Sequence, residues 1–206
     1  MNGAIVLPAI GGLFFGAAGY LGVLLGSGFA ERITPFDDGP PPVNPPLPWL
    51  VAGCALIGVL AGTHAHQSFQ VALIAIVCAA LVAVFVTDAR CGIVPDIFTL
   101  GPLTIALAGG LWQHQWWLPI SVTVSFAPFA IAALVSRGRG MGWGDVKLAA
   151  LGGAILGAQM SVLTFAAACF AAVAVNYKRG RKHGTIAFAP YLATAIGAAI
   201  PLAMWR

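Results

Sequence analysis

Two aspartates in this chain stand where hydrolytic chemistry is possible. Asp88 lies in Thr87-Asp88-Ala89-Arg90-Cys91-Gly92-Ile93-Val94-Pro95-Asp96, and Asp145 in Gly140-Met141-Gly142-Trp143-Gly144-Asp145-Val146-Lys147-Leu148. Each carboxylate sits where a long apolar segment meets a polar loop. An ionisable group at such a boundary is costly to keep and is a functional candidate by default. Two carboxylates that converge are the minimum equipment for acid–base hydrolysis of a peptide bond. One is ionised and activates water; the other is protonated and donates to the scissile carbonyl or the leaving amine. Close carboxylates do not both ionise readily, so they share a proton and titrate as a pair. No metal, cofactor or covalent intermediate is called for.

Each residue also has an ordinary reading. Asp88 ends an apolar run, near a helix C-terminus where the dipole disfavours negative charge; it could equally be an interfacial carboxylate paired with Arg90. Asp145 precedes the run that begins at Val146 and could be a plain helix N-cap. Gly140, Gly142 and Gly144 favour more than that, because alternating glycines permit close backbone approach and a simple cap does not need them. Trp143 reads as an interfacial anchor, and Lys147 as a side chain that snorkels to the headgroups. Asp96, after Val94-Pro95, reads best as an N-cap following a Pro turn, a role Asn could also fill.

The elements that must position these residues are apolar. Of 206 residues, 60% are hydrophobic and only 8% charged, whereas a soluble domain carries about 25% charged residues. That much apolar surface cannot be hidden in a globule of this size. Long unbroken apolar runs, rather than short alternating ones, predict an all-α polytopic transmembrane bundle and not a β-barrel. About eight segments can be drawn, near 3–28, 48–63, 69–87, 97–112, 118–136, 146–158, 160–176 and 185–204, giving about six to eight spans. The sixth is short and Gly-rich (Gly152, Gly153, Gly157) and reads as a half-span or as one element with the seventh. The chain divides into a first segment with a Pro-rich loop (1–47) and a core (48–206). Pro40 to Pro42 and Pro45-Pro46 make that loop a stiff, extended connector.

Charge gives orientation. If the segments alternate, Arg32, Arg90, Arg137, Arg139, Lys147, Lys178, Arg179, Arg181 and Lys182 share one side with all six acidic residues. The positive-inside rule makes that side cytoplasmic, with both termini outside. His64, His66, His114, Trp112, Trp116 and Trp117 fall on the other side, the tryptophans as an interfacial belt. A net charge of +4 held in inter-span loops speaks for topology rather than nucleic acid. The cluster Lys178 to His183 is a topology determinant that could touch anionic lipid. His64-Ala65-His66 has too few partners to hold a metal, and Cys54, Cys78, Cys91 and Cys169 form no CxxC pair, so neither a zinc site nor a disulfide is expected. No cleavable signal peptide is expected either, since no Lys or Arg precedes the first apolar run.

With both strings in view, the chain resembles the type IV prepilin leader peptidases, polytopic aspartic proteases of the GxGD kind. Asp88 followed by Pro95-Asp96-Ile97-Phe98-Thr99-Leu100 is similar to the family's first motif. Gly142-Trp143-Gly144-Asp145-Val146-Lys147-Leu148 is similar to its second. Ile186-Ala187-Phe188-Ala189-Pro190-Tyr191-Leu192 resembles its C-terminal segment, with Ala187 and Ala189 in place of Pro and Gly. The likeness runs over about residues 70 to 204.

The resemblance implies catalysis by Asp88 and Asp145, with Gly142, Gly144, Lys147, Pro95 and Asp96 supporting the active-site loops. The implied substrate is a prepilin or pseudopilin with a basic leader and an apolar helix, cut at their junction at the cytoplasmic face of a bacterial inner membrane. Longer members carry a CxxC loop linked to N-methylation; this chain has only the 29–47 loop, so cleavage without methylation is expected. Beyond substrate and membrane lipid, no partner is implied. The rival readings are a proton-coupled transporter using the same carboxylates as a relay, and a catalytically silent assembly partner of a pilus or secretion machine.

Overall fold

In a computed structural model the described residues are 3–33, 47–64, 68–136, 141–178 and 187–204. The Pro-rich connector from residue 34 to 46, His66, Arg137, Arg139, Gly140, the basic cluster from Arg179 to His183 and Ile186 lie outside them, and of the His64 and Lys178 side chains nothing is described.

The described residues form seven helices and no strand: α1 (Gly3–Ala30), α2 (Leu47–His64), α3 (Ser68–Cys91), α4 (Asp96–Trp112), α5 (Leu118–Val135), α6 (Trp143–Lys178) and α7 (Ala189–Met204). Lipid offers the backbone no hydrogen bonds, so each apolar run closes its own ladder as a helix. Pro8, Pro102, Pro128 and Pro201 sit inside helices, as membrane helices tolerate. Four helices are long and apolar enough to cross a membrane, with three shorter apolar ones beside them. The protein is a multi-pass helical membrane bundle, with fewer qualifying spans than the eight segments expected.

The sixth and seventh expected segments form the single element α6, which reverses direction within itself. Gly157 has φ 76° and ψ 166°, a conformation essentially restricted to glycine. A β-carbon on Gly152 would lie 2.8 Å from the Phe165 ring, whereas 13 residues of straight helix span about 20 Å. The two halves therefore fold back on each other. Ser125 of α5 fastens the hairpin: its hydroxyl is 2.6 Å from that of Ser161, and Ser161 itself donates to the Ala158 carbonyl at 2.9 Å. Gly157→Ala should cost about 1–3 kcal/mol from backbone strain alone, since no described group beyond its own local backbone lies within 4 Å of the added carbon. Thermal unfolding in detergent checks this; an unchanged Tm would show that the reversal does not depend on glycine.

α1 packs on α2 and α3, α3 on α4 and α7, and α6 on α4, α5 and α7. Small residues set the approach, as is usual between membrane helices: Gly19 faces Cys54 of α2, and Gly22 meets the Ala79 carbonyl of α3. The core along α3 and the first half of α6 includes Val77, Val84, Val86, Val146, Leu148 and Leu151, all fully buried. This arrangement gathers the C-termini of α1 and α3 with the N-termini of α4 and α6. The Cys91 thiol reaches the Ala30 carbonyl at 3.7 Å, and the Phe29 and Phe98 rings meet edge-on at 5.9 Å. Every charged side chain described (Glu31, Arg32, Asp88, Arg90, Asp96, Asp145 and Lys147) lies at or next to this end. Trp112, Trp116 and Trp117 are exposed at the other.

Candidate active site

Asp88 stands in the last turn of α3. Gly92, at φ 67°, ends the helix in the left-handed conformation and donates its N–H to the Asp88 carbonyl at 2.9 Å, the usual glycine C-terminal stop. The Asp88 side chain is buried, 6% exposed. Its Oδ2 is a buried oxygen with no hydrogen-bond partner among the described residues. No ion pair joins it to Arg90, so the interfacial-pair reading does not describe this carboxylate. Neighbouring Thr87 donates into its own helix, to the Ala83 carbonyl at 3.0 Å, and offers Asp88 nothing.

Asp145 is not the N-cap of α6. The helix begins at Trp143, so Asp145 lies inside the first turn, third in the helix, with its N–H donated to the Gly142 carbonyl at 3.1 Å. Its side chain folds back toward Gly142, where a backbone hydrogen bond reaches the carboxylate. A carboxylate at this position suits the positive end of the helix. Asp145 and Asp88 lie close enough at this end of the bundle for their charges to interact.

The two strings meet at two further places. A β-carbon on Gly144 would lie 2.6 Å from Cβ of Val94, so this glycine lets the first turn of α6 lie directly against the α3–α4 loop. Lys147 Nζ reaches Asp96 Oδ1 at 2.5 Å. Lys147 therefore pairs across to α4 rather than snorkelling to headgroups. Asp96 is not an N-cap: Pro95, extended at φ −68° and ψ 135°, holds that position without a side-chain cap, and Asp96 is the first residue of α4. Of the expected site residues, Asp88, Pro95, Asp96, Gly142, Gly144, Asp145 and Lys147 all come to one end of the bundle. Val94, against Gly144, and the Ala30 carbonyl, met by the Cys91 thiol, join them there. No local pattern marks either one, because each matters only through a contact made by a distant helix.

Asp88 is also the one charged residue among the buried polar side chains described; the others are Thr87, Thr99, Ser125, Ser161, Thr164 and Asn176. This arrangement suits two-carboxylate hydrolysis at one end of a bundle. Among the described residues no chain of ionisable groups runs through the middle. Residues 75–176, from within α3 to the last turn of α6, match the model of the Type IV leader peptidase family. That stretch contains both aspartate strings and stops before the 186–192 segment. No curated protein and no solved structure matches the chain.

Proposed function

We propose, from the premise that residues 75–176 place this chain in the type IV leader peptidase family, that it is a membrane aspartic endopeptidase removing the basic leader of prepilins or pseudopilins. The observation that carries the reading is the pairing of Asp88 and Asp145 at one end of the bundle, with Asp88 Oδ2 buried and unpartnered. An unpaired buried carboxylate oxygen is costly to maintain, and a catalytic group awaiting water or a scissile carbonyl is a reason to keep one.

In the proposed reaction one carboxylate, ionised, takes a proton from water as its oxygen attacks the scissile carbonyl carbon. The other, protonated, hydrogen-bonds the carbonyl oxygen and stabilises the charge that develops there. Collapse breaks the C–N bond, and the leaving amine takes its proton from the pair. Two carboxylates held together in a poorly solvated site favour the singly protonated state this cycle begins from.

The charged end of the bundle is assigned to the cytoplasm on the positive-inside rule, the side on which a basic leader would be presented. The rule and the family together point to a bacterial inner membrane. Co-expression with a prepilin-type substrate tests the reading: a shortened pilin on a gel is expected, and an unprocessed one beside folded, membrane-inserted chain would count against it. The mature pilin should also carry an unmethylated N-terminus in a host with no other methyltransferase, because the 29–47 segment contains no cysteine. Mass spectrometry of the pilin decides; an added methyl group would show that this chain does more than cleave.

A further inference from the structure

We propose that Lys147 and Asp96 form a latch that fixes the register of the two catalytic strings, and so the spacing of Asp88 and Asp145. This rests on the peptidase reading; both are positioning residues, and neither is taken to touch the reacting atoms.

Three points join the strings: Asp88 to Asp145 by charge, Val94 to Gly144 by backbone-close packing, and Asp96 to Lys147 by the ion pair. The first repels when both groups are charged and the second only limits approach. The third is, among the described residues, the polar attraction between the two strings. It spans the short link between α3 and α4, where Gly92 sits at φ 67°, and ties the first residue of α4 to the start of α6.

The placement of each charge supports the assignment. A cation in the opening turns of a helix is unfavourable against the dipole, so Lys147 is badly placed for the stability of α6 and well placed only relative to α4. Asp96 is the first residue of α4, after Pro95 at the cap position, and its carboxylate accepts from Lys147 of α6. Ion pairs this exposed (29% and 60%) add little to global stability. The expected effect is therefore on rate. Because a misplacement of about 1 Å can cost on the order of 100-fold, a partial loosening is expected to cost ~10-fold.

Lys147→Met and Asp96→Asn are each expected to lower kcat about 10-fold with KM and Tm little changed, while Lys147→Arg stays near wild type. The double variant should be no slower than either single one, because both remove the same contact. Wild-type kcat in both single variants, or losses that multiply in the double variant, would overturn the latch.

A second readout does not depend on cleavage. Spin labels on Ile97→Cys and Trp143→Cys, both exposed positions, report the distance between the starts of α4 and α6. Exposed Cys169 is replaced by Ser; Cys54, Cys78 and Cys91 are buried. A distance distribution that broadens with Asp96→Asn supports the latch even if the wild type cleaves no prepilin, in which case only the peptidase reading falls. An unchanged distribution contradicts the latch whatever the enzyme does.

Discussion

Asp88→Asn and Asp145→Asn should each reduce leader removal by about 100- to 10,000-fold, the range associated with losing a positioned acid or base. Asparagine keeps the shape of aspartate, so little packing is lost at either position. It cannot accept a proton, however, so neither half of the acid–base exchange survives. At Asp88 the structure adds a reason to expect a folded variant: Oδ2 has no hydrogen-bond partner among the described residues, so no described bond is broken there. The double variant should be scarcely slower than either single one, because groups that act as a unit lose their effect together. Initial rates of purified variants, normalised to folded protein, measure this. Near-wild-type cleavage by either Asn variant would remove that residue from the catalytic pair.

Gly144→Val should lose about 100-fold in rate with both carboxylates intact. The added Cβ would lie 2.6 Å from Val94 Cβ, and 3.0 Å and 3.3 Å from its two methyl carbons. A Cβ is fixed to the backbone and cannot rotate away, so either the first turn of α6 or the α3–α4 loop must shift. Both carry the site. Overpacking of this kind typically costs about 1–3 kcal/mol in stability, which a thermal melt would register beside the rate. Gly142→Ala should be milder, because its Cβ would sit 3.5 Å from Asp145 Oδ2, an ordinary contact distance. Wild-type rates in Gly144→Val would mean that the close approach to Val94 is irrelevant to the carboxylate spacing.

The same glycine shows what sequence could and could not provide. Alternating glycines before Asp145 signalled close backbone approach, and Gly144 makes one. They also suggest a loop, yet Gly144 lies inside α6 without a positive φ, which puts Asp145 inside the first turn and not at a helix boundary. Asp96 departs from the expected cap role for a related reason. An aspartate after proline fits the cap pattern, but here the extended Pro95 takes the cap position and frees the Asp96 carboxylate for Lys147.

The apolar runs gave the helical bundle directly, since lipid leaves the backbone no alternative to closing its own hydrogen bonds. The Gly-rich stretch near 157 marked where α6 reverses, although not whether it would. The ion pair and the Val94 contact were not legible. Each depends on how α4 and α6 lie against one another, over some fifty residues of intervening chain for the pair, and nothing in either string specifies the other as its neighbour.

The most direct test uses the purified wild-type chain alone, in detergent, with a prepilin-type substrate and mass spectrometry of the new pilin N-terminus. The expected result is one cut at the junction of basic leader and apolar helix, absent with Asp88→Asn and with Asp145→Asn. Intact substrate in the presence of folded wild-type chain, or the same cut made by either Asn variant, would contradict a site built on these two carboxylates.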